Sequence, residues 1–262
     1  MLILLRSFLT SKNHKKMKYL LFLIGIMLGS VILGNAQTQR PDYVSSGREY
    51  FDKGKYEFAI YDFEKALHNG SAPEAYYWRG LCYYHLKNYK RAQADFDTLL
   101  ANNRNFTQAY LQRGKIHLKL NNYEQALLDL QEAAKLDAEN PELLNERVMV
   151  YHALARYEEA ITDLKTLIRL RPNYFENYIN LAGLQLQTRN FKEAVENYSK
   201  GIELMLAEKN TEDPDAYFAR ATAYLEIGDT AYACQDWKRA QDLGHPDAEE
   251  KKQLFCSDGA KK

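Results

Sequence analysis

The amino-acid sequence predicts an all-α fold: a superhelical solenoid of about six helix pairs, closed by a C-terminal capping helix. The first observation is a small or β-branched residue that returns at a near-constant interval. Gly47, Gly80, Gly114, Val148, Ala182 and Ala221 are separated by 33, 34, 34, 34 and 39 residues. The second is an alanine twelve residues after each of them, at Ala59, Ala92, Ala126, Ala160, Ala194 and Ala233. The third is a bulky residue four further on, at Phe63, Phe96, Leu130, Leu164, Tyr198 and Trp237. Self-similarity at such a period marks a repeat architecture, with one supersecondary unit per repeat.

Taken from the N-terminus, residues 1–36 read as a signal peptide. Lys12–Lys18 form a basic n-region, and Tyr19–Leu33 form an apolar run that is short for a spanning helix. Gly34-Asn35-Ala36 place small residues where a signal peptidase cuts, so cleavage before Gln37 is expected. Either Met1 or Met17 suits as the start, residues 1–16 being an over-extended start or a long n-region. An uncleaved segment would instead anchor the chain in a membrane; in both cases the repeats lie outside the cytoplasm, in the periplasm or envelope. No cysteine stands near the cut, so a lipid anchor is not expected. Residues 37–42 form a short linker.

Six repeats follow over 43–244, each expected as two antiparallel helices. In the third, Gln108–Leu120 and Tyr123–Leu136 are the helices and Asn121-Asn122 the turn. Alanine and the bulky residue at i+4 share one helix face. The small residues are needed where the helices cross at close range. A single hairpin cannot bury its apolar stripe, so stacking of neighbours must complete the core. Tyr56, Tyr89, Tyr123 and Tyr157 follow the inter-helix turns and are read as core. The longer last gap places an insertion near Ala207–Asp213, expected as a lengthened helix and turn. Residues 245–257 form the capping helix, starting near Pro246, and 258–262 a disordered tail.

A further position stands three residues after each small one: Tyr50, Tyr83, His117, Tyr151, Gln185 and Tyr224. With it, the pattern resembles the tetratricopeptide repeat, an aromatic-x2-Leu-Gly-x2-Tyr followed by Ala-x3-Phe over 34 residues. The resemblance implies a right-handed superhelix whose first helices line a concave groove that takes a peptide or a partner's extended segment. Carried onto this chain, the groove comprises Tyr77, Leu81, Tyr84 and His85, then Leu111, Lys115, Leu118 and Lys119. Asn145, Met149 and His152 continue it, and Ile179, Leu186 and Phe218 extend it. Lys115 and Lys119, one turn apart, suit an acidic group of the partner. Individual members can instead pack inward against the adjacent repeat.

The chain departs from the family pattern in one systematic way. Arg79, Arg113, Arg147 and Arg220 stand where leucine is usual, and Asp62, Asp95, Asp129, Asp163 and Asp236 precede the bulky second-helix residue. The fifth repeat lacks both, with Leu181 and Asn197, which points to pairing within a repeat, as in Arg113–Asp129. The first repeat, with Ser46 and Asp62, is an exception, and pairing between neighbours stays open. Groups that recur at every period are scaffold rather than catalytic. The resemblance also marks down recognition of a free C-terminus: the clamp positions of chaperone-docking repeats carry Val44, Arg48, Trp78, Gln108 and Gln112 here.

The Ala36-Gln37 ending of the leader and the C-terminal Ala233-Cys234-Gln235-Asp236-Trp237 element are similar to those of exported repeat proteins of Gram-negative bacteria. Many of these have a comparable element with a late cysteine, and this likeness implies a Cys234–Cys256 disulfide. Cys82 is left over and is expected to be buried.

Composition narrows the function further. The 35 basic and 35 acidic side chains cancel, but Arg6, Lys12, Lys15, Lys16 and Lys18 fall in the leader with no acid beside them. The remaining chain is therefore acidic on balance, which argues against a nucleic-acid partner. No Gly-rich phosphate loop, H-E-x-x-H, C-x-x-C or G-x-S-x-G is present. His117 takes a core aromatic position, and His85 and His152 face the groove without a spaced metal-ligand partner. No catalytic residue, metal or cofactor is expected. The chain reads as a non-enzymatic scaffold of the cell envelope that helps assemble a membrane-associated complex. The alternatives are an accessory or regulatory subunit of an envelope enzyme, a ligand-binding regulator, and self-association through the uncapped N-terminal end.

Overall fold

The computed structural model describes residues 42–70, 73–209 and 211–256. The expected signal peptide, most of the linker and the tail lie outside the described residues. Among these residues are thirteen α-helices and no strand. Twelve form consecutive pairs: α1 (Tyr43–Asp52) with α2 (Tyr56–His68), α3 (Pro73–His85) with α4 (Tyr89–Asn102), and α5 (Thr107–Lys119) with α6 (Tyr123–Leu136). Then come α7 (Pro141–Ala153) with α8 (Tyr157–Leu170), α9 (Phe175–Gln187) with α10 (Phe191–Lys209), and α11 (Pro214–Glu226) with α12 (Thr230–Asp242). The last helix is α13 (Ala248–Cys256). Each helix packs on its neighbours in sequence, so the chain is an all-α helix-pair solenoid.

The repeating residues explain the crossings. A Cβ at Gly47 would lie 2.6 Å from the Phe63 ring, and one at Gly80 would lie 2.9 Å from the Phe96 ring. At Gly114 the nearest contact would be Leu130 at 3.1 Å. All six repeat alanines are fully buried, and so are Phe63, Phe96 and Leu130. Tyr56, Tyr89, Tyr123 and Tyr157 are half-buried, with their rings packed at the edges of these clusters.

Every intra-repeat turn closes in the same way. Gly54, Lys87, Asn121, Ala155, Arg189 and Gly228 adopt positive φ. The next amide, on Lys55, Asn88, Asn122, Arg156, Asn190 or Asp229, donates to the carbonyl of Tyr50, Tyr83, His117, Tyr151, Gln185 or Tyr224, at 2.8–2.9 Å. This is the Schellman closure of a helix C-terminus, made entirely by backbone.

The recurring charges pair inside each repeat. Arg79, Arg113, Arg147 and Arg220 each donate two hydrogen bonds to Asp95, Asp129, Asp163 and Asp236, at 2.6–2.9 Å. In the first repeat the Ser46 hydroxyl donates to Asp62 at 2.5 Å. In the fifth the Asn197 amide donates to Gln185 Oε1 at 2.8 Å, so a neutral pair replaces the ionic one. Arg113 also reaches back to Asp97 of the preceding repeat at 2.6 Å. Its hydrogen bonds to Asp129 raise the guanidinium pKa further above the ordinary arginine value.

The insertion is a longer helix: α10 has 19 residues, against 13 or 14 in the second helices of the repeats around it. At the C-terminal end α13 starts at Ala248, two residues after Pro246, with Ala248 buried. A disulfide joins Cys234 to Cys256, with the Cα atoms 5.7 Å apart. The Phe255 ring stacks on Trp237 at 5.6 Å. Cys82 is buried, and desolvation pushes its thiol up to about 12.

Candidate partner-binding groove

The first helices α3, α5, α7, α9 and α11 carry the four repeat positions expected to line the groove. One position holds Tyr77, Leu111, Asn145, Ile179 and Phe218 in successive repeats. The next, four residues on, holds Leu81, Lys115, Met149, Gly183 and Thr222. Tyr84, Leu118, His152, Leu186 and Leu225 follow, and then His85, Lys119, Ala153, Gln187 and Glu226.

The structure separates the expected groove residues into three groups. Leu81 and Leu111 do not face an open groove: they are 8% and 3% exposed, and they pack in the core clusters between adjacent repeats. Their neighbours approach closely enough to cover them, because α3 contacts both α1 and α5, and α5 contacts α7.

The second group is already engaged with neighbouring side chains. Tyr77 is half-buried, with its ring 5.5 Å from Trp78 and 5.3 Å from Phe106, and burial raises its phenol pKa. Tyr84 lies 5.8 Å from Tyr89, and His85 is stacked on Tyr56 at 4.8 Å. Phe218 is covered by His245, stacked at 3.9 Å in the segment that leads into α13. Lys115 does not await an acidic partner: it bonds Glu142 at 2.8 Å and lies 3.9 Å from Glu146, both on the next first helix. Lys119 is exposed, while Leu118 and Leu186 are half-buried.

The third group is exposed, and Met149 and His152 in it border an opening. Asn145, Met149 and His152 are exposed, Met149 by 55%. Between α7 and α9 a cavity of about 400 Å³ is lined by Val148, Met149, His152 and Leu164 on one side. Ile179, Asn180, Gly183, Leu184 and Gln187 line the other. Adjacent first helices touch along the rest of the groove, but α7 and α9 approach less closely. The cavity therefore collects the expected Met149, His152 and Ile179, and adds residues that repeat position alone did not mark. The available signal was Gly183, which stands where three preceding repeats carry Leu81, Lys115 and Met149. No group of three or more His, Cys, Asp or Glu among the described residues is arranged to hold a metal ion.

Comparison with known proteins identifies the repeat. A model of the anaphase-promoting complex (cyclosome) subunit 3 family matches residues 52–133, and tetratricopeptide repeat models match 111–175 and 175–204. No curated protein matches the chain. Among solved structures, YrrB, described as a TPR protein with an unusual peptide-binding site, is 19% identical over 73% of this chain and 98% of its own, with a TM-score of 0.66. PilF of Pseudomonas aeruginosa is 18% identical over 81% of this chain and 96% of its own, with a TM-score of 0.61. MamA of Desulfovibrio magneticus RS-1 is 23% identical over 64% and 95%, with a TM-score of 0.59. These likenesses concern the fold. Repeat spacing, helix pairing and family models agree that the chain belongs to the tetratricopeptide repeat proteins.

Proposed function

We propose that this chain is a non-enzymatic scaffold of the cell envelope that binds an extended segment of a partner protein on its concave face. The observation that carries this reading is the open cavity between α7 and α9. Apolar side chains that serve only the scaffold are covered by the next repeat, as Leu81 and Leu111 are; Met149 is instead 55% exposed, beside a recess that reaches down to the buried Leu164 and Leu184. An apolar recess with a few polar groups at its rim suits a docked side chain. YrrB, a protein of the same fold, is described as having a peptide-binding site. Export is supported by the leader, whose basic and apolar parts and small-residue ending suit secretion. The Cys234–Cys256 bond supports it too, since disulfides persist in oxidising compartments.

The test is crosslinking in cells, followed by capture and mass spectrometry. The mature protein is compared with a Met149→Ala, His152→Ala variant and a Tyr77→Ala, Tyr84→Ala variant, each checked for folding. Envelope partners lost in the groove variants support the proposal. Partners that persist in both would move the binding surface to the convex face or the ends. N-terminal sequencing of the mature protein should begin at Gln37; a cytoplasmic, uncleaved chain would remove the envelope assignment.

A further inference from the structure

Four of the five helical glycines among the described residues have a packing reason. Gly47, Gly80, Gly114 and Gly201 each lie where an added Cβ would come within 3.1 Å of a neighbouring side chain. Gly183 does not: its added Cβ would meet only the Tyr198 hydroxyl, at 3.6 Å, an ordinary contact. It sits inside α9 without positive φ, where glycine weakens a helix relative to alanine. Packing thus leaves this glycine unexplained, while its effect is plain. Gly183 is itself part of the cavity lining, so a larger residue there would take up space beside the cavity, as Met149 does at the equivalent position on α7.

The lining bounds what enters. It contains no Asp, Glu, Lys or Arg, so a charged side chain would lose its hydration without a counter-charge. Leu164 and Leu184 are its buried members, Val148 and Ile179 are half-buried, and Met149 and His152 are exposed. Thioethers and imidazoles both favour aromatic neighbours. Asn180, Gly183 and Gln187 follow one stripe of α9, at spacings of three and four residues. The two carboxamides are exposed and make no hydrogen bond among the described residues. Seven residues of helix span about 10 Å, the length of about three residues of extended chain. A peptide lying along α9 can therefore meet a carboxamide on either side of one residue whose side chain lies over Gly183.

We infer that Gly183 makes the α7–α9 cavity a specificity pocket for one aromatic side chain, presented by an uncharged extended segment whose main chain is held by Asn180 and Gln187. The inference rests on the scaffold reading for its biological setting, but its chemistry can be tested without a natural partner. The probe is the peptide acetyl-Ser-Gly-Phe-Gly-Ser-amide at millimolar concentration, beside versions with Ala, Lys or Asp in place of Phe. The readout is the ¹³C-methyl resonance of Met149. The Phe peptide should shift it saturably, with the Ala peptide weaker by about tenfold or more and the charged ones silent. Gly183→Leu should lower affinity for the Phe peptide by at least about tenfold while melting at or above the wild-type temperature, because leucine fills the space and favours helix. Gly183→Ala should raise the melting temperature with a smaller loss of binding. If leucine lowers the melting temperature, the surface variant Asn180→Ala, Gln187→Ala carries the same expectation of lost binding. Equal response to Phe and Ala peptides, no response to either, or full binding by Gly183→Leu would overturn the inference. Envelope partners that are lost in the Tyr77→Ala, Tyr84→Ala variant but retained by Gly183→Leu would remove the pocket and leave the scaffold standing. Phe-selective binding without any envelope partner would sustain the pocket and remove the scaffold.

Discussion

Glycine and alanine at equivalent positions do different work, and the distances decide which substitutions are tolerated. Phe96 is fully buried, so it cannot swing aside for a Cβ at Gly80. Gly80→Ala should therefore destabilise by about 1–3 kcal/mol from overpacking, offset by about 1 kcal/mol of helix propensity. Chemical denaturation reads the difference, and a variant as stable as wild type would show that the crossing can widen. Ala155 shows the opposite sign. Its left-handed backbone costs a non-glycine residue about 1–2 kcal/mol, so Ala155→Gly should stabilise the fold by about 0.5–1 kcal/mol after the added unfolded-state entropy. The Cys82 thiol, raised by burial, is neutral in the folded chain well above its ordinary value near 9.0. Below that value the folded and unfolded chains are both protonated there. Above it only the unfolded chain ionises, so Cys82 lowers stability as pH rises from about 9 towards 12. Cys82→Ala should flatten that part of the stability profile. Residue type and spacing made the crossings legible in the sequence. They did not reveal that Leu81 and Leu111 are covered, because cover depends on how near the next helix comes.

At the scale of a helix pair, the Arg–Asp bonds fix how one helix lies on the other. Asp163 and its equivalents are nearly enclosed, and each guanidinium reaches one carboxylate through two parallel bonds. Removing one partner should cost much more than removing both. Arg147→Met alone is expected to destabilise by about 3 kcal/mol, because it strands a carboxylate. Adding Asp163→Leu should recover most of that loss. A double variant no better than the single one would mean that the pair contributes net attraction. The joint absence of Arg and Asp from the fifth repeat pointed to this pairing before any geometry. The same comparison could not show the Gln185–Asn197 bond that replaces it, since Gln185 stands at an otherwise aromatic position.

Across the whole molecule, stability is passed between neighbours, and the ends are where it fails first. The C-terminal repeat is fastened by α13 through the disulfide and the Trp237–Phe255 stack, whereas α1 has no described helix beyond it. Hydrogen exchange should therefore be fastest in α1 and α2 while Cys234 and Cys256 are bonded. Reduction, which removes roughly 3 kcal/mol of loop constraint, should bring α11 and α12 to a similar rate; unchanged protection there would mean packing alone holds the cap. The solenoid was legible because one period runs through six copies. The open cavity was not, because it depends on how closely α7 approaches α9, which the change to Gly183 at one repeat position does not fix.

The left-handed turn residues Gly54, Lys87, Asn121, Ala155, Arg189 and Gly228 are all exposed and mark the same phase of each repeat. They form a graduated scale along the coil. Fluorophores at positions 87 and 189, three repeats apart, would report any tightening or slackening of the superhelical pitch as a change in energy transfer. The spring constant of the molecule, and its change when the concave face is filled, can thus be measured from outside the groove.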